Sequence, residues 1–245
     1  MMFPGHISEI HYKRALRKGQ GTIVRRHSML SFFVRLICLA AGYCFGIFQT
    51  AYIYGKTQGI DIRTLGSGNA GTTNVLRNFG KKAGIIVFIG DIGKCILAYY
   101  ICSLLFGFSG IPGRLLGLYG AVGAVIGHCF PFYMQFRGGK GIACLVGLMA
   151  AFSPQTLLIG IIVFFAIFAV THYVSLGSLL CVLAFLIVTI IKGQSGAYGM
   201  TGGELIEMYL VLAAVVALAW YQHRENIKRL LSGTERKTYL FKKNK

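Results

Sequence analysis

Six apolar blocks, at residues 31–54, 83–107, 115–134, 141–171, 173–192 and 205–222, leave this chain little choice of fold. A helix needs about 20 apolar residues to cross the hydrocarbon of a bilayer, and most of these blocks are the right length for one crossing. The 141–171 block is too long for one. Ser153-Pro154 interrupts it, because proline lacks an amide hydrogen and biases the preceding residue away from helix. The expected fold is therefore all-α, a polytopic integral membrane bundle of about seven transmembrane helices, two of them short.

Composition agrees, with 55% of residues hydrophobic and only 13% charged, against the roughly 25% charged residues of a soluble domain. The seven cysteines (Cys38, Cys44, Cys95, Cys102, Cys129, Cys144 and Cys181) show no CxxC spacing and nearly all fall in apolar segments. They read as small core hydrophobes, with neither a zinc site nor a disulfide framework. No metal or other cofactor is expected.

Twenty-five Lys and Arg against seven Asp and Glu give a formal net charge of +18. Such an excess fits nucleic acid, anionic lipid or an anionic substrate. Here the basic residues lie mostly between and beyond the apolar blocks, where membrane topology alone places them, so no nucleic acid partner is expected. The 55–82 loop (Lys56, Arg63, Arg77, Lys81, Lys82), the 135–140 loop (Arg137, Lys140) and the tail from Arg224 onward belong in the cytoplasm. An odd number of crossings then puts the N-terminus outside, yet residues 1–30 hold Lys13, Arg14, Arg17, Lys18, Arg25 and Arg26, against the positive-inside bias. The expectation is that translation starts at Met29 and that 1–30 is an extension; a genuine basic extension is the alternative.

Three hydrophilic stretches stand out from the oily background. "GSGNAGTTN" at 66–74 combines glycines, which let backbone amides converge, with short hydroxyl and amide side chains, as in a phosphate-cupping loop ahead of a helix start. In "GHCFPFYMQFRGGKG" at 127–141, Arg137, Gly138, Gly139 and Gly141 surround Lys140, so an ammonium and neighbouring amides can reach one oxyanion. "HRENIKRLL" at 223–231 reads as a continuation of the last helix, with His223 and Asn226 on one face and Arg224 and Lys228 on another. Between them, "THYVSLGS" at 171–178 sets hydroxyls at the cytoplasmic end of two helices. Asp91 and Lys94, three apart within an apolar block, are expected to pair inside the bundle, and His128 to line the pocket or pack between helices.

With these motifs in order over about residues 37–236, the chain resembles the bacterial acyl-phosphate-dependent glycerol-3-phosphate acyltransferases, the PlsY family. It departs from the family pattern at Ala70, Thr72, Arg137 and His172, and at "IFQTA" in the first helix. The resemblance implies transfer of a fatty acyl group from acyl phosphate to glycerol 3-phosphate, giving lysophosphatidate and phosphate for phospholipid synthesis at the bacterial plasma membrane. It also implies functional coupling to an acyl-phosphate-forming enzyme. Residues 31–231 would form the acyltransferase domain and 232–245 a basic cytoplasmic tail. It assigns Gly68, Asn69, Gly71, Thr73 and Asn74 to the acyl phosphate, and Arg77, Lys140, Ser175, His223 and Asn226 to glycerol phosphate.

The residues suit such roles in kind: Arg77 is a forked donor for phosphate, Lys140 a mobile point charge, and Asn226 a neutral donor and acceptor for hydroxyls. Ser67 lacks a visible Asp-His pair to activate it, so it is expected to hold substrate while the glycerol hydroxyl attacks directly. The proton goes to His223 or to the donor's own phosphate. No HxxxxD sequence occurs, which separates the chain from acyltransferases built on a His-Asp pair. A transporter of phosphorylated anions is the rival reading, although transport sites usually lie near the membrane midplane and these stretches gather at one face.

Overall fold

The structure, a computed structural model, describes residues 29–239. Residues 1–28, on which the expectations about an extension fall, and 240–245 of the tail lie outside the described residues. Among the described residues there are nine α-helices and no strands. They are α1 (residues 29–46), α2 (Thr50–Thr57), α3 (Thr72–Leu105), α4 (Gly113–Cys129), α5 (Ile142–Phe152), α6 (Pro154–Thr171), α7 (Val174–Gln194), α8 (Gly202–Gln222) and α9 (Arg224–Leu231). Among the described residues six stretches are long and apolar enough to cross a membrane: Met29–Thr57, Thr72–Leu105, Gly113–Met134, Pro154–Thr171, Val174–Gln194 and Gly202–Gln222. The 11-residue apolar α5 stands where a seventh is expected and is shorter than a full crossing needs.

Helix α4 is the axis of the bundle, buried nearly all round from Leu115 to Cys129. Its glycines explain how closely α1 approaches: a Cβ at Gly123 would overlap the Leu39 carbonyl and lie 2.9 Å from the Tyr43 amide. Gly42 and Gly46 of α1 meet Gly120 and Ala124 of α4 in the same way. Lipid tails are as apolar as leucine, so association here comes from close van der Waals contact, which small residues permit. By contrast α6 buries only Thr156, Gly160 and Phe168 and exposes Ile161, Ile162 and Phe165, as a lipid-facing helix should.

Three helix breaks depart from the expected blocks, and all three shape the polar end. The first apolar block splits at 48–49, where the fully buried Gln49 donates its amide to the His128 carbonyl (3.0 Å) and the Gly46 carbonyl (3.3 Å). The 55–82 segment, expected as a loop, is helical over 72–79 and bends at Gly80 (φ 86°, ψ 179°). Its polar surface hides a narrow apolar face, on which Val75 packs with Ala51, Ile62, Ala70, Ala83, Val87 and Met134. Finally, the last helix ends at Gln222 and restarts at Arg224, instead of running on through 231.

The polar connections 58–71, 130–141 and 172–173, together with α9, lie at one end of the bundle. Contacts such as Ser175 Oγ to Glu235 Oε1 (2.8 Å) tie them together. At the other end Arg114 stacks over Phe152 and Tyr198, and Thr201 and Glu204 form a reciprocal cap on α8. Gly123→Val is expected to destabilise the bundle by about 3 kcal/mol or more, because backbone atoms of α1 cannot move aside as a side chain could. Thermal unfolding in detergent checks this, and an unchanged Tm would refute the proposed α1–α4 contact.

Candidate active site

The first glycine stretch folds around Asn74. Gly66 (φ 57°) and Gly68 (φ 70°) turn the chain through left-handed conformations that only glycine adopts freely. The buried Asn74 amide donates to the carbonyls of Ile62 (3.2 Å) and Leu65 (3.0 Å), while its Oδ1 accepts from the Ser67 amide (3.0 Å) and from Asn78 (3.1 Å). Expected to touch phosphate, Asn74 instead spends its side chain on the loop's shape. Ser67 and Gly68 are exposed, whereas Asn69 and Thr73 are half-buried. Gly71 caps α3 without a side-chain hydrogen bond, and the Thr72 hydroxyl is buried with no partner among the described residues. A helix start without a capping side chain suits an anion.

The second stretch is clamped to the end of α4. Gly138 N donates to the Cys129 carbonyl (3.1 Å) and Gly139 N to the His128 carbonyl (3.0 Å). These two amides, expected to face an oxyanion, are therefore engaged by α4. Their lack of a Cβ serves close approach: one at Gly138 would overlap the His128 carbonyl, and one at Gly139 would overlap the His128 ring and come within 2.9 Å of the Ala70 carbonyl. The two loops thus meet at Ala70 and Gly139. Lys140 projects past them to hydrogen-bond Asn226 Oδ1, while Arg137 is exposed.

Helix α9 and the chain after it complete the pocket. The turn at Gly233 (φ 69°) sends the tail back over α9. Glu235 Oε1 then accepts from Asn226 Nδ2 (2.6 Å) and Ser175 Oγ (2.8 Å), and Oε2 from Arg229 Nε (2.8 Å). Three residues on, Thr238 N donates to the His172 carbonyl (2.9 Å) and Thr238 Oγ1 accepts from Arg77 Nη2 (2.6 Å). Arg77, Lys140, Ser175, His223 and Asn226, drawn from four parts of the sequence, thus gather around Glu235 and Thr238. Glu235, Arg229 and Thr238 were missed from sequence because they follow or end the last helix, in a stretch that reads as a solvated basic tail until the chain reverses. The signal lay in "GTE", where a glycine follows the helix and allows the chain to reverse.

The electrostatics of the pocket favour an anion. Burial, with Arg229, Arg77 and Arg224 nearby, pushes the Lys140 ammonium down to about 8 despite the opposing effect of Glu235. Burial also pushes His223 down to about 4, helped by Lys140. Its Nδ1 lies 2.8 Å from the Ala219 carbonyl, an acceptor only, so Nδ1 carries the hydrogen and Nε2 the lone pair. Burial works against ionisation of Glu235, but hydrogen bonds from Asn226, Arg229 and Ser175 outweigh it and hold the carboxyl below its ordinary range. Cations outnumber this one carboxylate in the pocket.

Residues 36–233 match the family model described as glycerol-3-phosphate acyltransferase. The chain belongs to this family. It is 41% identical over 212 residues to a glycerol-3-phosphate acyltransferase of Clostridioides difficile (strain 630), covering 85% of this chain and 97% of the relative. It is 37% identical over 215 residues to that of Bacillus cytotoxicus, covering 87% and 100%. Among solved structures it resembles the integral membrane glycerol 3-phosphate acyltransferase PlsY (YgiH). In that protein's glycerol 3-phosphate form the TM-score is 0.74 at 31% identity, covering 85% of this chain and 99% of that one. In its lysophosphatidic acid form the TM-score is 0.71, also at 31% identity, covering 84% and 95%. The chain is accordingly a multi-pass membrane acyltransferase of phospholipid synthesis.

Lys140 is cationic below about pH 8 and neutral above it, so its attraction for an anion is present at lower pH and fades as pH rises through 8. Thermal stabilisation of this acyltransferase by inorganic phosphate should weaken between pH 7 and 9. In Lys140→Arg, whose guanidinium stays charged, the same titration should be flat.

Proposed function

We propose that the chain moves the acyl group of an acyl phosphate onto the sn-1 hydroxyl of glycerol 3-phosphate, releasing lysophosphatidate and inorganic phosphate. The observation that carries this reading is the convergence of Arg77, Lys140 and Arg229 with the neutral groups of Ser175, His223 and Asn226 at one end of the bundle. Basic side chains crowd the same end, while Arg114 and Lys192 are on the other, which supports a pocket facing the cytoplasm. The solved relative's glycerol 3-phosphate and lysophosphatidic acid forms correspond to acceptor and product. Acyl phosphate is a reactive mixed anhydride, so a separate enzyme must make it, and the two would work in series.

In this reading Arg77 and Lys140 hold the acceptor's phosphate, and Asn226 and Ser175 its hydroxyls. The helix start at Thr72 and Thr73, with Gly68, Asn69, Gly71 and the exposed Ser67, receives the donor's phosphate. The glycerol oxygen bonds to the acyl carbon, and the bond from that carbon to the phosphoryl oxygen breaks. The leaving group is good, so alignment and charge stabilisation carry most of the rate. The hydroxyl donates to the Nε2 lone pair of His223 and is thereby aimed at the carbonyl. Held at about 4 by burial, that imidazole is a weaker base than the inorganic phosphate that leaves, so the proton passes to phosphate. The functional unit extends from residue 31 through Thr238, because the tail contributes Glu235 and Thr238.

Purified protein should form lysophosphatidate and phosphate from acyl phosphate, but not from acyl-CoA or acyl carrier protein; product from either of those alone would refute the donor assignment. His223→Ala should lower kcat by about 100-fold. His223→Gln, which can accept a hydrogen bond but not a proton, should stay within about tenfold of wild type. If Gln were as inactive as Ala, the imidazole itself would be the base.

A further inference from the structure

Beneath the two loops lies a buried polar cluster that the reaction above does not use. Asp91, Lys94 and His128 are 1%, 5% and 2% exposed, on α3 and α4 within membrane-spanning stretches. Lys94 Nζ sits 2.8 Å from the Phe48 carbonyl, 2.9 Å from Asp91 Oδ1 and 2.9 Å from His128 Nδ1. An ammonium has three hydrogens, and here it has three acceptors. His128 Nδ1 must then offer its lone pair, since a hydrogen there would face one on Nζ. The neutral ring carries its hydrogen on Nε2, and Thr50 Oγ1, 3.2 Å from Asp91 Oδ1, adds a further donor to the carboxylate.

The Nε2 edge of His128 faces the junction of the loops. The space beside the Gly139 Cα is bounded by this edge and by the Ala70 carbonyl, so a Cβ there would strike the first and come within 2.9 Å of the second. The backbone of His128 holds Gly139 N as well. Ring and backbone of one residue therefore fix where the loop bearing Lys140 stands relative to the loop bearing Ser67.

We propose that His128 is a positioning residue for acyl transfer: Lys94, held by Asp91 and the Phe48 carbonyl, locks its ring with the hydrogen on Nε2, and that edge sets the spacing of the two phosphate-binding loops. The inference rests on the functional reading above, because the spacing matters only if each loop carries one substrate. A locked ring of this kind has no lone pair facing the loops and cannot serve there as a base. Loosening the spacing separates two substrates that each still bind, so the loss falls on kcat with little change in either KM.

Three variants test this, each normalised to folded protein by Tm in detergent. His128→Asn places its amide near the Nδ1 position and should lower kcat by about 100-fold with both KM values within about threefold of wild type. His128→Gln carries an N–H to the Nε2 position and should recover most of that loss. Equal kcat for the Asn and Gln variants at matched Tm, or a loss confined to KM, would overturn the proposal. Side-chain nitrogen NMR of the wild type should show an unprotonated Nδ1 on His128 from pH 6 to 9, and a tautomer mixture in Lys94→Met. A protonated Nδ1 in the wild type would refute the lock whatever the activity. Failure of wild-type protein to use acyl phosphate would instead sink the functional reading and leave the NMR result standing.

Discussion

The carbonyls of the last residues of α4 accept hydrogen bonds from across the polar end: His128 from Gln49 and Gly139, Cys129 from Gly138, and Phe130 from Tyr43 (2.9 Å). Carbonyls at a helix C-terminus have no partner within the helix, and near a membrane each must find one. Because α1 is pressed against α4 by glycine contacts, Gln49 and Tyr43 are within reach. Because Gly138 and Gly139 lack side chains, the second loop can fold back onto the same carbonyls. Both loops inherit their placement from this one helix end.

The pocket balances charge in a way that composition hides. Several guanidinium and ammonium groups drawn together repel, and burial together with this repulsion lowers the pH at which Lys140 gives up its charge. One carboxylate, Glu235, relieves part of this repulsion. It also orients Asn226 and Ser175, so the neutral groups face the pocket in a defined pose. In the proposed reaction the two phosphates meet a surface that is positive but not uncompensated.

Much of the architecture was legible because apolar length is a direct consequence of bilayer thickness, and Ser153-Pro154 divided α5 from α6 as its chemistry requires. Charge between the blocks pointed to the basic stretches lying together at one end, as the connections 58–71 and 130–141 and α9 do. The segment 72–79 was harder to read, since its helical face is too narrow to outweigh the polar residues around Val75. Within the pocket, residue types pointed to Arg77, Lys140, His223 and Asn226, but not to the use of each hydrogen bond. Asn74 and the Gly138 and Gly139 amides turned inward because backbone carbonyls nearby needed donors, a demand visible only once α4 and the loops are in place. Glu235 was overlooked because a lone acid after a basic helix looks like solvent decoration until the chain reverses at Gly233.

The strap formed by Glu235 and Thr238 is the last part of the described chain to be made, and it is wedged among residues from α3, α7 and α9. A half-synthesised bundle already threaded into the bilayer therefore has its cations but not their organiser. The cationic end closes only when synthesis has passed Thr238 and the chain has doubled back at Gly233, so the order of the sequence makes its organiser the latecomer of the fold.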